Sequence, residues 1–462
     1  MAPLAPAVIL LAVAKPMAER TEGKLPFVLI PAMAMWIGWG IRGQLGHWTG
    51  AMIPGALLGL AISFLLADKQ ISRGVVVGLT AAGYGFGAAQ TTLQTAGFLM
   101  GTNHSHVINL QVAIPGLMLK GGLWALFAGA GLGLALCVHL YRKIDIVLGA
   151  LVLVAVFYLG WWIIDRPRRI YFSVDRPEIW GGLLLGGIAF LAWMTWRGRT
   201  RIPLVVASYA AAAGAIGYPI AVSLAATGIH FSHARHNWWK LAETTFGAFM
   251  GAGIALGTWR VKDQLPAPAA RKEEGTSPRP RALGAILGAA LAAAGTEALA
   301  QHALPWIILG SLLWCAAYYS PRTGWHIGVT MTFFGTAANL VDYWSREQKL
   351  GHGPILWALL GLATLVIAWA VEGWAAQPTR ASSRQAFAVL LWAFLPLSYL
   401  ITYAGAAVIH PAAGAVAAAG GLWPYLMHQW NGVWPVEIGF TVDALALTWL
   451  VQRSRTKWGQ HE

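Results

Sequence analysis

Charged side chains are scarce in this chain. Lys, Arg, Asp and Glu together make up 11% of its 462 residues, whereas apolar types make up 57%. A soluble domain usually carries about 25% charged residues, so the composition excludes an ordinary soluble fold. Segments of about 10 residues with alternating polarity, which are typical of membrane β-barrels, are also missing. The sequence therefore predicts an all-α integral membrane protein.

Other absences narrow the function. The two cysteines, Cys137 and Cys315, lie in apolar segments, so neither a disulfide framework nor a cysteine metal motif is expected. No G-x-S-x-G, P-loop or H-E-x-x-H motif occurs. The formal net charge is +14, but most basic residues lie in short loops between apolar runs. That distribution encodes membrane orientation, so we expect membrane lipid as a partner and no nucleic acid.

Apolar runs long enough to cross a bilayer, about 20 residues each, recur along the chain. They predict a polytopic bundle of about 14 transmembrane helices. The predicted spans lie near residues 25–40, 50–67, 74–97, 113–138, 145–164, 179–196, 202–228, 238–258, 282–300, 304–320, 325–343, 353–376, 386–408 and 434–451. The Ala/Gly-rich stretch 410–430 is predicted to be re-entrant or broken. The first 14 residues are predicted to be interfacial or half-spanning.

Loop 165–178 is basic but falls on the outer face, and its acids Asp165, Asp175 and Glu178 largely offset its four arginines. The other basic loops alternate across these spans and place the opposite face of the bundle in the cytoplasm. That face holds both termini and the Pro- and charge-rich linker 260–281, which is predicted to be flexible. The linker divides the chain into an eight-span half, 1–259, and a six-span half, 282–462. We expect the protein in a bacterial cytoplasmic (inner) membrane.

The N-terminal half shows a weak internal repeat. "AAGYGFGAAQTTLQTAGF" (81–98) resembles "AAGAIGYPIAVSLAATGI" (212–229), and each copy is followed by a histidine loop and a Gly-Ala-Gly helix. The copies run in the same direction across the predicted membrane, which suggests a parallel repeat. Ala/Gly-rich helices that merely share a composition would give the same pattern.

The densest polar stretch is "HFSHARHNWWKLAE", residues 230–243. In a helix, His233, His236, Lys240 and Glu243 fall within an arc of about 80°. Lys and Glu inside a membrane are costly unless they pair or face water, so the stripe is predicted to line a polar cavity. Glu243 is predicted to pair with Lys240 or Lys120, or to take a proton from the histidines above it. Gln90 and Gln94 on the predicted helix 74–97 form a second polar stripe, with Lys120 on the next helix. Loops 40–50, 102–106 and 230–236 all fall on the predicted outer face and carry its histidines. Ordinary interfacial anchoring by His and Trp is the alternative.

Three functions stay open at this point. The first is a secondary transporter or permease for a small polar solute, which the basic residues of the site bias toward an anion. Its outer-facing site is predicted to contain Arg42, His47, Gln90, Gln94, His104, His106, Lys120, His233, His236 and Lys240. His236 and Glu243 are the candidates for a proton relay, because histidine titrates near pH 6.5 and a carboxylate inside a membrane carries protons.

The second function is an intramembrane enzyme at the outer leaflet. In it, His230, His233 and His236 hold a Zn²⁺ or Fe²⁺ ion that activates water. The third is a non-catalytic subunit of a larger membrane complex. Only the enzyme needs a cofactor, and a homo-oligomer or membrane complex is open in all three. Asp342, Glu372 and Asp443 are the candidate buried acids of the C-terminal half.

Overall fold

The chain is described by a computed structural model. The described residues are 24–45, 50–88, 93–101, 108–167, 170–173, 178–231, 238–267, 280–300, 303–346, 353–399, 420, 424 and 434–458. The predicted interfacial segment 1–14 lies outside them. So do nearly all of the predicted re-entrant stretch 410–430 and most of the linker.

All regular structure in the described residues is helical. The first nine helices are α1 (Lys24–Leu45), α2 (Met52–Leu65), α3 (Arg73–Gly87), α4 (Leu93–Met100), α5 (Leu110–Leu136), α6 (Lys143–Gly160), α7 (Trp180–Gly198), α8 (Ile202–Phe231) and α9 (Trp238–Val261). A π-helical turn, Trp161–Asp165, continues α6.

Seven further helices follow the linker. They are α10 (Arg281–Ala300), α11 (Ala303–Tyr319), α12 (Pro321–Trp325), α13 (Thr332–Arg346), α14 (Gly353–Ala376), α15 (Arg380–Tyr399) and α16 (Trp434–Trp458). A π-helical segment, His326–Met331, joins α12 to α13.

Among the described residues, five helical segments are long and apolar enough to cross a membrane. They are Lys24–Arg42, Leu110–Leu136, Lys143–Asp165, Ile202–Phe231 and Gly353–Ala376. The perimeter of the bundle is apolar enough to lie against lipid, because helix α14 leaves Leu359, Leu362 and Val366 more than half exposed. Side chains of this kind belong against acyl chains rather than water. These apolar helices are those of a membrane protein.

The structure corrects one predicted span. Segment 74–97 is not a single helix, because α3 ends at Gly87 and α4 begins at Leu93. Gly85 and Gly87 favour a helix end. A Cβ atom at Gly87 would lie 2.5 Å from the Trp124 ring, so α5 covers the end of α3 closely. Gln94 lies on α4, and Gln90 lies outside the described residues, so the polar stripe predicted from these two residues stays a prediction.

The break also bears on the predicted repeat. Its first copy, 81–98, extends over the end of α3 and most of α4, whereas its second copy, 212–229, lies within the continuous helix α8. The two copies thus differ in local structure, and the repeat stays a prediction.

Small residues bring the central helices together. Helix α8 packs between α5 and α9. A Cβ atom at Gly214 of α8 would lie 2.3 Å from the carbonyl oxygen of Gly121 on α5. Lipid provides no hydrophobic drive for helix association, so such backbone approach is how membrane helices gain packing energy.

The helices before and after the linker interlock. A Cβ atom at Gly78 of α3 would lie 2.6 Å from the Cα atom of Gly324 on α12. Phe86 of α3 also packs against Trp306 and Trp314 of α11, with ring centroids 4.8 and 5.4 Å away. The parts of the chain before and after the linker thus share a core, and their division into an eight-span and a six-span half stays a prediction.

Candidate functional site

Helices α1 and α9 carry an ion pair between them. The guanidinium Nη1 of Arg42 lies 3.1 Å from Oε1 of Glu243 and donates a hydrogen bond to it. The Arg42 side chain is 23% exposed and that of Glu243 only 7%. Gly247 of α9 allows the two helices to approach, since a Cβ atom there would lie 2.5 Å from the carbonyl oxygen of Met35. The pair is therefore built into the contact between these helices.

Two indole rings flank the guanidinium. Its central carbon lies 5.3 Å from the ring centroid of Trp39 and 5.7 Å from that of Trp124. The two rings meet edge to face at 4.8 Å. Rings at these distances attract a cation through their quadrupole. Arg42 is thus held by one carboxylate and two aromatic side chains from α1, α5 and α9.

Tyr84 of α3 fixes the position of both rings. Its hydroxyl accepts a hydrogen bond from Nε1 of Trp39 and lies 2.8 Å from Sδ of Met250. Its backbone oxygen accepts a hydrogen bond from Nε1 of Trp124 at 3.0 Å. Because Tyr84 is fully buried, these bonds hold the rings of Trp39 and Trp124 in place around Arg42.

The second cation of the site is Lys240, which lies on α9 one turn before Glu243. Its side chain is buried, and its Nζ lies 4.7 Å from the ring centroid of Phe440 on α16. The last described helix therefore closes over the lysine from the C-terminal half.

Lys120 of α5 forms a separate buried cluster one turn before Trp124. Its Nζ lies 2.9 Å from Oε2 of Glu178 and donates hydrogen bonds to Oγ1 of Thr95 at 2.9 Å and Oγ of Ser173 at 3.0 Å. The carboxylate of Glu178 also accepts a hydrogen bond from the backbone of Phe172 at 2.7 Å. Both charged side chains are almost fully buried, so the pair locks the segment before α7 onto α5.

Sequence reasoning missed the role of Glu178. It treated this residue as one of several acids that offset the arginines of the loop 165–178. The spacing along the chain gives no sign that the loop folds back onto Lys120. Only the position of Glu178 directly before an apolar helix could have suggested a buried partner.

Arg42, which was not among the predicted partners of Glu243, donates a hydrogen bond to its carboxylate. Lys120 was wrong as a partner, because it pairs with Glu178, and the proton from the histidines stays a prediction. A helical arc compares positions on one helix, whereas the partner comes from a helix 201 residues away in the chain. Lys240 and Glu243 are nevertheless both buried, as a stripe that faces the bundle interior requires.

Several predicted site residues lie outside the described residues. They are His47, Gln90, His104, His106, His233 and His236. Of the others, Arg42, Lys120 and Lys240 lie on helices that meet around Trp124 and Glu243, and Gln94 is buried on α4. The histidine lining, the relay from His236 and the single outer cavity stay predictions.

Of the three histidines predicted to hold a metal ion, His230 is among the described residues, at the end of α8. Its Nε2 lies 2.8 Å from the backbone oxygen of Met100, so that nitrogen is engaged by the backbone. Within the described part of the chain, no group of three or more His, Cys, Asp or Glu side chains could hold a metal ion. His233 and His236 are not covered by that statement.

Of the candidate buried acids of the C-terminal half, Glu372 and Asp443 are buried and Asp342 is half-buried. Glu372 faces His326, with 2.9 Å between Oε1 and Nε2. This pair lies near the linker end of the bundle and away from Arg42.

The site around Arg42 places cations among rigid aromatic rings inside an apolar bundle. Such an arrangement can bind an anion or exchange its counter-ion for one. No family model matches this chain, no curated protein matches its sequence and no solved structure matches its fold.

Proposed function

We propose that the protein is a secondary transporter, or permease, for a small anionic solute. In this proposal about 14 helical segments cross the membrane, with the linker and both termini in the cytoplasm. Arg42 and Glu243 then lie near the outer ends of helices α1 and α9. The solute enters from that side, past the loops that carry the predicted histidines.

The ion pair between Arg42 and Glu243 is the observation that carries the proposal. Charged side chains within membrane segments are costly and mark solute or ion pathways. A pair that served only to join two helices could be replaced by apolar residues, often at no loss of stability. Here the guanidinium is also partly exposed and is lined by Trp39 and Trp124, as a binding group needs to be.

The charges favour an anion. Two cations, Arg42 and Lys240, lie next to the carboxylate of Glu243, whereas Lys120 is neutralised by Glu178 in its own cluster. The excess is one positive charge. Guanidinium groups also bind carboxylate and phosphate oxygens in a bidentate geometry, which gives Arg42 the leading role in recognition.

The same geometry suggests how transport couples to protons. An incoming anion competes with Glu243 for the guanidinium of Arg42. Once displaced, Glu243 is a buried carboxylate without its counter-ion, and a buried charge of that kind is stabilised by taking up a proton. Anion and proton then cross together, and their release restores the ion pair.

Uptake into liposomes tests the proposal. The purified chain is reconstituted and offered labelled acetate, succinate, citrate and inorganic phosphate in turn, with the outside acidic or at the internal pH. We expect uptake of at least one anion, faster with the outside acidic. Arg42→Gln should abolish it, and Glu243→Gln should leave exchange that no longer responds to the pH gradient.

Asp145→Asn is the matched control for Glu243→Gln. Asp145 also pairs with an arginine, at 2.6 Å from Nη2 of Arg197, but it lies in the first turn of α6 at the opposite end of the bundle. We expect this variant to keep pH-driven uptake per folded protein. Uptake by Arg42→Gln equal to the native rate would refute the assignment of the site. A lack of uptake for every anion would favour the enzyme or the subunit instead.

A further inference from the structure

A pocket of about 500 Å³ lies at the linker end of the bundle. It is formed by the start of α10, α12, the end of α14 and the start of α15. Its polar lining comprises Arg281, Arg322, Glu372, Gln377, Ser382 and Gln385. The site around Arg42 is far away, because α2 separates the two ends and its 14 residues span about 20 Å.

The buried carboxylate of Glu372 forms the floor of this pocket. Its Oε1 lies 2.9 Å from Nε2 of His326 and its Oε2 lies 3.6 Å from Nε of Arg322. The other ring nitrogen of His326 lies 3.0 Å from Oγ1 of Thr330. Both oxygens of Glu372 are thus engaged, and the floor orients Arg322.

The backbone is shaped around this floor. A Cβ atom at Gly284 of α10 would lie 2.3 Å from the carboxyl carbon of Glu372, and one at Gly288 would lie 2.2 Å from the ring of His326. His326 is also the first residue of the π-helical segment. Such π-bulges occur frequently at functional sites, so the close cover of α10 and the irregular helix point to a built site.

Arg281 is held at the rim. Its Nε donates a hydrogen bond to the backbone oxygen of Trp369 at 3.0 Å, and its guanidinium carbon lies 4.9 Å from the Trp369 ring centroid. Gly373 leaves room for it, since a Cβ atom there would lie 2.5 Å from Nη2. A long side chain that packs in this way is partly preorganised, which lowers the entropic cost of binding a ligand.

We propose that this pocket binds a phosphate group. Two guanidinium groups and one carboxylate line the pocket, which leaves an excess positive charge, and guanidinium groups match the oxygens of phosphate. Ser382 and Gln385 add polar side chains to the lining from the first turns of α15. The phosphate comes either from the aqueous phase or from the headgroup of an anionic lipid, because Trp369 is about half exposed on the apolar perimeter.

Binding is tested on the purified full chain in an uncharged detergent. Isothermal titration with inorganic phosphate measures the free anion. Native mass spectrometry with phosphatidylglycerol, and with phosphatidylcholine as the uncharged reference, measures the headgroup. Arg281→Gln is the test variant, since Arg281 is exposed and its loss should not affect folding. Arg142→Gln is the control, an arginine 72% exposed at the same end of the bundle.

We expect Arg281→Gln to weaken binding by at least about tenfold, which corresponds to the loss of one charge-assisted contact, and Arg142→Gln to leave it unchanged. Binding of phosphate alone would identify the free anion, and binding of phosphatidylglycerol alone would identify the headgroup. If neither binds, or if both variants reduce binding equally, the pocket is not a phosphate site. These results do not depend on transport, so they stand or fall separately from the proposed function.

Discussion

Arg42 and Glu243 are 201 positions apart in the chain, yet their side chains meet at 3.1 Å. The contact joins the first described helix to the last helix before the linker. It lies between two indole rings whose positions are set by Tyr84 on a third helix. The central charge of the candidate site is therefore held by α1, α3, α5 and α9 together.

Removing one partner of this pair should destabilise the protein more than removing both partners. In Glu243→Gln the guanidinium of Arg42 remains among apolar rings without its counter-charge, at a cost of about 3 kcal/mol, the lower end for a broken buried pair because Arg42 is partly exposed. The double variant Arg42→Gln with Glu243→Gln should recover most of that loss. Denaturant unfolding of the native protein, both single variants and the double variant gives the coupling energy. A single variant as stable as the native protein would mean that the pair contributes nothing to folding.

Tyr84→Phe should cost about 1–3 kcal/mol, because it leaves the indole N–H of Trp39 buried without its acceptor. Tyr209→Phe is the matched control, since Tyr209 is 43% exposed and should tolerate the change. Thermal unfolding of the two variants in the same detergent compares them. Equal unfolding midpoints would show that the Tyr84 hydroxyl is not needed to hold the rings of Trp39 and Trp124.

Gly324→Ala should weaken the contact between the two halves of the chain. A Cβ atom there would lie 2.3 Å from the backbone oxygen of Gly74, which cannot move without shifting α3, so we expect a loss of about 1–3 kcal/mol.

Gly361→Ala is the control for that substitution. A Cβ atom at Gly361 meets no atom within 4 Å, and the change should be neutral or stabilising by up to about 1 kcal/mol. Unfolding curves for both variants decide the matter. An unaffected Gly324→Ala would place α12 farther from α3 than the structure has it.

Cysteine labelling tests the orientation. Gln264→Cys lies at the linker end of the bundle and Gln111→Cys in the first turn of α5 at the other end, and both residues are exposed. In intact cells, an impermeant thiol reagent should label Gln111→Cys and leave Gln264→Cys unmodified. The native protein gives the background, because Cys137 is buried and Cys315 partly so. The opposite labelling pattern would invert the proposed topology.

Helix positions could be predicted well from sequence for a physical reason. In lipid, every backbone polar group must be satisfied within its own helix, so an apolar run of sufficient length is nearly always one helix. Segment 74–97 was the exception, since its first helix ends at Gly87, where Trp124 of α5 packs closely. Local composition alone does not reveal that contact.

Single charged residues of the candidate site could be selected from the sequence, but their pairing could not. Charged positions such as Arg42, Lys120 and Glu243 stand out because charge is rare in this chain. Their partners do not, and Glu178 was taken for an ordinary loop acid. Helical periodicity relates positions on one helix, and it has no information about which helix comes to lie opposite.

The sequence by itself determined that the surroundings of this protein are largely apolar. Its apolar excess and scarce charge exclude water as the surroundings of most side chains, and its basic loops predict an orientation. The tertiary structure alone decided which charges neutralise each other. Arg42 meets Glu243, Lys120 meets Glu178, and Glu372 meets both His326 and Arg322. The reason is energetic, since a charge inside the bundle must find a partner, and the glycine-mediated packing of helices determines which partner is within reach.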